Sequence, residues 1–436
     1  MLQTVKNAWK LPELRNKILF TIFILIVFRF GSVLSVPFVD SSVLKEAFAQ
    51  QTAGTILDYF NMLSGEAFSR ATLFALSISP YITAQIVIQL LTIAIPALER
   101  MAKEGDEGRK KLSQITRYVT VALALLTAYG YYTYIKNTAG MAIQHDGVNP
   151  HFAAAVIIAC YCAGAAIIMW LAEKINEKGI GNGISIILLA NIVSRVPNNI
   201  IVAGRNLFTD FKLTTLIVDL LLIVVAVATV LFVVHMSDAE RRVPVQYAKR
   251  QVGRRMYGGQ STYLPLKLNM TGVMPIIFAS SIVTLPSTIG LMVGKDATSG
   301  GFWGGFLKLF SYTSPLYSIL FFVLIIAFAY FYISISFNPI EVANNLKKNG
   351  GSILGIRPGK PTSDFIARIL SRITLIGAIF LGIIAVLPIV LTMIDQSFGS
   401  LAFAGSSIII VVGVIVETQT EIETQMSMRH YKGFLE

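Results

Sequence analysis

Charge is scarce in this chain. Only 14% of its 436 residues are Asp, Glu, Lys or Arg while 54% are hydrophobic, more apolar material than a water-soluble fold of that length needs to fill its core. Cysteine is scarcer still: Cys160 and Cys162 stand alone, inside one apolar run. There they read as small packing residues, so neither a disulfide framework nor a cysteine metal site is implied. The histidines His145, His151, His235 and His430 are scattered. Missing too are HExxH, GxSxG and the phosphate-cradling GxxxxGK[ST]. These absences argue against an enzyme, with no metal and no cofactor expected, and any energy the protein uses must come from a partner.

What the chain has instead is long hydrophobic runs. Stretches near the roughly 20 residues that cross a bilayer recur at 18–36, 70–91, 116–135, 152–172, 184–203, 214–235, 271–290, 315–335, 369–388 and 402–418. They lack the period-two alternation of a membrane β-barrel, so the reading is an all-α polytopic membrane protein with ten spans. The first run reads as a retained span and not a cleaved signal, because Arg29 interrupts it and no small-residue cleavage pattern ends it. If ten spans alternate, most Lys and Arg fall on one side, in 1–17, 92–117, 173–183, 236–269, 336–368 and the C-terminal tail. The positive-inside rule places that side, with both termini, in the cytoplasm. A boundary near residue 208 divides the chain into 1–208 and 209–436 with five spans each. Five is odd, so any likeness between the halves would be an inverted repeat.

Individual motifs are modest. GIGNG (Gly179–Gly183) has the glycine density of a nucleotide loop without its preceding strand or acidic partner; Asn182 is expected to cap the next helix, the glycines allowing a tight turn. Asp219, His235, Arg372 and Glu417 fall near span ends, and Arg29 reads as snorkelling or structurally paired. A secondary transporter is the alternative from another functional class, and it needs a coupling group near the bilayer centre. Arg29 is the main candidate inside a span, and the unwound stretch ahead of the second span would be such a transporter's binding site. Ile78 with Ile82, and Ile184 with Leu188, stack at i and i+4, a spacing that fits ordinary helix packing as well as a pore lining.

The cytoplasmic stretch ERRVPVQYAKRQVGRRMYGGQSTYLPLKLN carries Arg241, Arg242, Lys249, Arg250, Arg254, Arg255 and Lys267 against Glu240 alone, interleaved with Tyr247, Tyr257 and Tyr263. It reads as a solvated positive-inside loop or as a docking surface for an anionic or RNA-rich partner. A second candidate surface, NPIEVANNLKKNGGSILGIRPGKPT, presents Arg357 from a turn rich in Gly and Pro.

These loops, together with FRFGS, FNMLSGEAFSRATLFALSISPYI, EGDEGRKKLSQITRY, EKGIGNGISIILLANIV and AGSSIIIVVGVIVET, resemble the SecY family of bacterial protein-conducting channels, in the family's order along the whole chain. The resemblance implies two inverted five-helix halves around an hourglass pore, through which unfolded secretory polypeptides cross the cytoplasmic membrane and from which membrane segments leave sideways into lipid. It implies a constriction ring of Ile78, Ile82, Ile184, Leu188, Ile277 and Ile410, Leu188 standing where isoleucine is common. A lateral gate would run between the second and seventh spans at Thr83, Ser281 and Leu285, the last at a position where an aromatic is common. The stretch from Ile56 to about Arg70 would be a re-entrant plug: Ile56, Leu57, Tyr59, Phe60 and Leu63 supply its apolar character, Asp58 and Asn61 face the aqueous outer funnel, and Ser64 and Gly65 form a hinge. Implied partners are SecE and SecG, the SecA ATPase, a translating ribosome contacting the basic loops through its RNA, signal-bearing polypeptides and membrane lipid.

Overall fold

Proline sets where several of the helices begin. The computed structural model describes residues 2–432 other than 52–59, 62, 145–147, 210–212, 248–249, 253–254, 258–260, 294–300, 312–313 and 395–398. Pro12, Pro80, Pro150, Pro315 and Pro339 each occupy one of the first two positions of a helix, where a missing N–H goes unnoticed and the fixed φ is already helical. Asn149 and Asn338 add side-chain caps. In chain order the helices are α1 (Leu2–Lys10), α2 (Pro12–Gly31), α3 (Ser41–Gln51), α4 (Ser79–Ala94), α5 (Pro96–Lys103), α6 (Asp106–Thr138), α7 (Pro150–Lys178), α8 (Gly183–Thr209), α9 (Leu213–Asp238), α10 (Met274–Val293), α11 (Phe302–Leu309), α12 (Pro315–Ser336), α13 (Pro339–Lys348), α14 (Lys360–Ile394) and α15 (Gly399–Lys432).

The all-α membrane class holds: each apolar run overlaps one of the longer helices. Among the described residues, Pro150–Lys178, Pro315–Lys348 and Lys360–Leu387 are long and apolar enough to cross a membrane, and α4 with α5 passes the same test as a pair bent by 102°. The bend sits at Ile95, which is extended because it precedes Pro96. Outward faces are apolar too, as at Phe23, Ile26 and Phe30 of α2 and Ile319 and Val323 of α12, all exposed. Such a surface is compatible with hydrocarbon as the surrounding solvent and not with water.

One expectation needs correction. The run 70–91 is helical only from Ser79; residues 64–78 form a succession of turns. Here Ser64, Ser69, Thr72 and Ser77 hydrogen-bond to nearby main chain, offering the backbone an alternative to the helix. The basic stretch, read from sequence as a solvated loop or a docking surface, also carries strands. Strand β1 (Glu240–Tyr247) pairs antiparallel with β4 (Ser261–Lys267) on one side and with β5 (Gly351–Ile353) on the other, while β2 (Arg250–Val252) pairs with β3 (Arg255–Tyr257). Val243, Val245, Leu266 and Ile353 bury against Ile366, Leu370 and Ile373 of α14, with the alternation of a half-covered sheet. The two loops thus form one platform.

The largest core cluster draws on both halves of the chain. Helix α10 of the second half packs on α4 and α6 of the first, and α15 packs on α8, α9 and α14.

Candidate functional site

The site begins at the turn into α8. Gly181 takes φ of +80°, Asn176 Oδ1 accepts from Gly183 N at 2.7 Å and Asn182 Oδ1 accepts from Ile184 N at 3.1 Å, so the expected Asn182 cap is present and the helix start is held twice. Ile184 and Leu188 follow on one face. Ile78 is the residue that caps α4, Ile82 lies one turn on, Ile277 sits in the first turn of α10 and Ile410 within α15. All six are buried, and all six belong to one contiguous apolar cluster. None of them has a polar side-chain atom.

Beside this cluster lies a cavity of about 290 Å³. Ile82, Leu188, Ile277 and Ile410 are among its lining residues, together with Thr83 of α4, Leu123, Leu126, Thr127 and Tyr131 of α6, and Ser280, Ser281, Thr284, Leu285 and Thr288 of α10. The three gate residues read from sequence therefore share one space with four of the ring residues. The hydroxyls do not make its wall sticky. Ser280 and Ser281 donate to the Ile277 carbonyl at 2.9 and 2.8 Å, Thr284 to Ser281 and Thr288 to Thr284, both at 3.0 Å, each thus satisfied inside its own helix. Among the described residues no hydrogen bond joins α4 to α10.

Of the plug residues, Ile56, Leu57 and Tyr59, with Asp58, lie outside the described residues. Phe60 and Leu63 line the cavity. Asn61 corrects the sequence reading: instead of facing an aqueous funnel it is buried, its Oδ1 accepting from Ser69 N at 3.0 Å, because a short amide in a tight turn finds main-chain donors nearer than water. The segment is also strained. Glu66, Ala71 and Ser77 adopt φ of +70°, +47° and +53°, a region that costs residues with a Cβ roughly 1–2 kcal/mol each. Tertiary contacts hold it there: the Tyr131 hydroxyl donates to the Phe68 carbonyl, and Asn191 Nδ2 of α8 donates to the Leu63 carbonyl at 2.7 Å. Neither Asn191 nor Tyr131 was singled out in the sequence. A polar residue seven positions beyond Ile184 on the same helical face was the signal for Asn191.

The basic residues divide. Arg241, Arg242 and Arg357 are exposed, Arg242 being paired with Glu240 at 2.6 Å. Lys267 is half-buried, its Nζ donating to Thr420 Oγ1 at 3.4 Å. Arg357 is fixed through its carbonyl, which accepts from Thr362 Oγ1 at 2.8 Å. Lys249 and Arg254 lie outside the described residues; Arg250 and Arg255 are placed on β2 and β3 by backbone alone. No group of three His, Cys, Asp or Glu that could hold a metal occurs among the described residues.

Comparison with known proteins gives a consistent picture. The sequence model of the SecY family matches residues 72–419. The chain is 41% identical over 452 residues to the protein translocase subunit SecY of Streptomyces coelicolor, and 41% identical over 451 residues to that of Mycobacterium tuberculosis, covering 100% of each chain in both cases. Among solved structures it is similar to a protein conducting channel, with TM-score 0.67, 17% identity and coverage of 94% and 92% of the two chains. It is also similar to Sec61 in the canine ribosome-channel complex, with TM-score 0.61, 16% identity and the same coverage. At those identities the structural likeness speaks for the fold alone.

Proposed function

The chain belongs to the SecY family and is the membrane-embedded, protein-conducting subunit of a translocase; from that premise we propose how its residues do the work. Ile78, Ile82, Ile184, Leu188, Ile277 and Ile410 form the constriction. A polypeptide in transit presents every kind of side chain, and a lining with fixed hydrogen-bond partners would stall some of them. Aliphatic side chains grip nothing polar, and closed together they resist wetting, the barrier of a hydrophobic gate. Thr83, Ser281 and Leu285 line the seam through which a membrane segment leaves sideways. Since among the described residues no hydrogen bond joins α4 to α10, their separation forfeits dispersion and apolar burial.

The segment from Ile56 to about Arg70 plugs the outer side. The exposed Arg241, Arg242 and Arg357, with Lys249, Arg250, Arg254, Arg255 and Lys267, form a cytoplasmic docking platform for SecA or a ribosome, and SecE and SecG complete the complex. The halves 1–208 and 209–436 are its moving bodies. The chain itself performs no catalysis, resides in the bacterial cytoplasmic membrane and keeps both termini in the cytoplasm. The observation that carries this reading is the meeting of six aliphatic side chains from four helices, drawn from both halves, in one buried cluster beside the α4/α6/α10 cavity.

Reconstitution with SecE, SecG and SecA tests it. Proteoliposomes are expected to protect a signal-bearing precursor from added protease only when ATP and SecA are present. Small-solute uptake by the chain alone, without precursor protection, would instead establish a secondary transporter.

A further inference from the structure

We propose that Asn191, assisted by Ser194 and Arg195, is a polar latch on α8 that holds the plug segment shut and sets the threshold for opening. This rests on reading residues 56–70 as the plug.

The ring face of α8 does not stop at the ring. From Ile184 and Leu188 the same face continues to Asn191 and Arg195, a spacing of four, three and four, so a stripe that is apolar at the constriction turns polar one turn above it. Asn191 is fully buried. Its Nδ2 donates to the Leu63 carbonyl at 2.7 Å and to Ser77 Oγ at 3.3 Å, and Ser77 Oγ donates to that same carbonyl at 3.1 Å. One amide therefore ties together the two ends of the turn segment, Leu63 on the plug side and Ser77 immediately before the gate helix α4. Arg195, one turn further, places Nε 3.8 Å from Glu66 Oε1, and Glu66 is also paired with Arg70 at 2.7 Å. Contact is close enough to favour glycine at 65: with φ of +65°, a Cβ there would stand 3.0 Å from Asn191 Oδ1 and 3.1 Å from Ser194 Oγ. The position read from sequence as a free hinge is thus the point where the plug segment touches α8.

The amide is used from one side only. Among the described residues Asn191 Oδ1 has no hydrogen-bond partner, while both contacts to the segment are made by the NH₂ group. Aspartate, nearly identical in shape, would set a carboxylate oxygen against the Leu63 carbonyl and convert attraction to repulsion. The segment being held is strained at Glu66 and Ser77, so releasing the latch lets the backbone relax toward the open arrangement.

Planar-bilayer recording of the SecE- and SecG-containing complex tests the latch. Asn191→Asp is expected to raise idle ion conductance roughly three- to tenfold, the change that losing one hydrogen bond makes to an equilibrium, and to let a signal-impaired precursor through. Asn191→Ala, which removes the donor without adding charge, keeps the test alive if the aspartate variant fails to insert and is expected to act in the same direction. A purely structural asparagine would lower the unfolding temperature of the purified complex in both variants and leave conductance unchanged, overturning the proposal. Deletion of residues 57–65 runs in parallel. If the deletion leaks and the Asn191 variants do not, the latch is wrong and the plug stands; if neither leaks, the plug reading falls and the latch with it. If both leak, adding Asn191→Asp to the deletion is expected to give no further conductance, since the latch acts through the segment removed.

Discussion

At the scale of single residues, the proposed constriction owes its properties to what its six side chains lack. Ile82 and Ile410 contribute no side-chain donor or acceptor, and burying each away from water is worth about 1.5–3 kcal/mol. Ile82→Asn and Ile410→Asn lower that burial and at the same time lower the barrier to wetting. Both variants are expected to export a precursor with a defective signal sequence severalfold faster than the unaltered chain does, measured by protease protection in inverted vesicles. Unchanged export in both would remove these residues from the ring. The residue that the sequence reading overlooked, Asn191, shows the limit of searching apolar spans for ionisable groups alone: a neutral amide, fully buried, organises as much of the site as any charge.

At the scale of elements, the sheet platform is the clearest case of sequence pattern meeting unexpected pairing. Val243, Val245 and Leu266 alternate inward as a half-buried strand pair should, yet the pairing of Val245 with Ile353 joins segments more than a hundred positions apart. Arg357 lies just beyond β5, exposed, in a turn closed by the hydrogen bond from Thr362 to its carbonyl. Because that bond uses main chain, replacing the side chain leaves the turn intact. Arg357→Glu is therefore expected to leave membrane insertion and complex assembly normal while SecA-driven export falls by tenfold or more, in line with the about 2–5 kcal/mol lost when a charge in a desolvated contact is reversed. Export at the unaltered rate would return Arg357 to an ordinary solvated loop.

At the scale of the whole molecule, one seam between the halves is where α10 meets α4 and α6. Hydroxyls along α10 are turned back on their own helix, leaving dispersion and apolar burial between α10 and α4. Contacts of this kind are lost smoothly as bodies separate and leave no orphaned polar group behind. A tether across the seam should therefore arrest transport without harming the fold. With Cys160 and Cys162 replaced by alanine, Thr83→Cys combined with Ser281→Cys and bridged by a short reducible bis-thiol reagent is expected to abolish export, and cleaving the bridge is expected to restore it. Full export through the bridged channel would place the exit elsewhere.

Much of this was written in local pattern. Runs of Leu, Ile, Val and Phe near bilayer length, with prolines and asparagines at their starts, determine helices in lipid, because hydrocarbon leaves main-chain groups no partners but each other. The resemblance of quoted stretches to one family supplied the ring and gate positions, and Asn182 announced its own cap. Other features could arise only in three dimensions. Whether residues 70–78 become helix or turns depends on side-chain hydroxyls and amides competing for main-chain groups, and on Asn191 and Tyr131 arriving from 60 to 130 positions away to hold the strained result. The burial of Asn61, the single sheet built from two loops and the latch against Gly65 belong to the same class. Each joins groups distant along the chain, and the energy that selects such an arrangement exists only once the helices have packed.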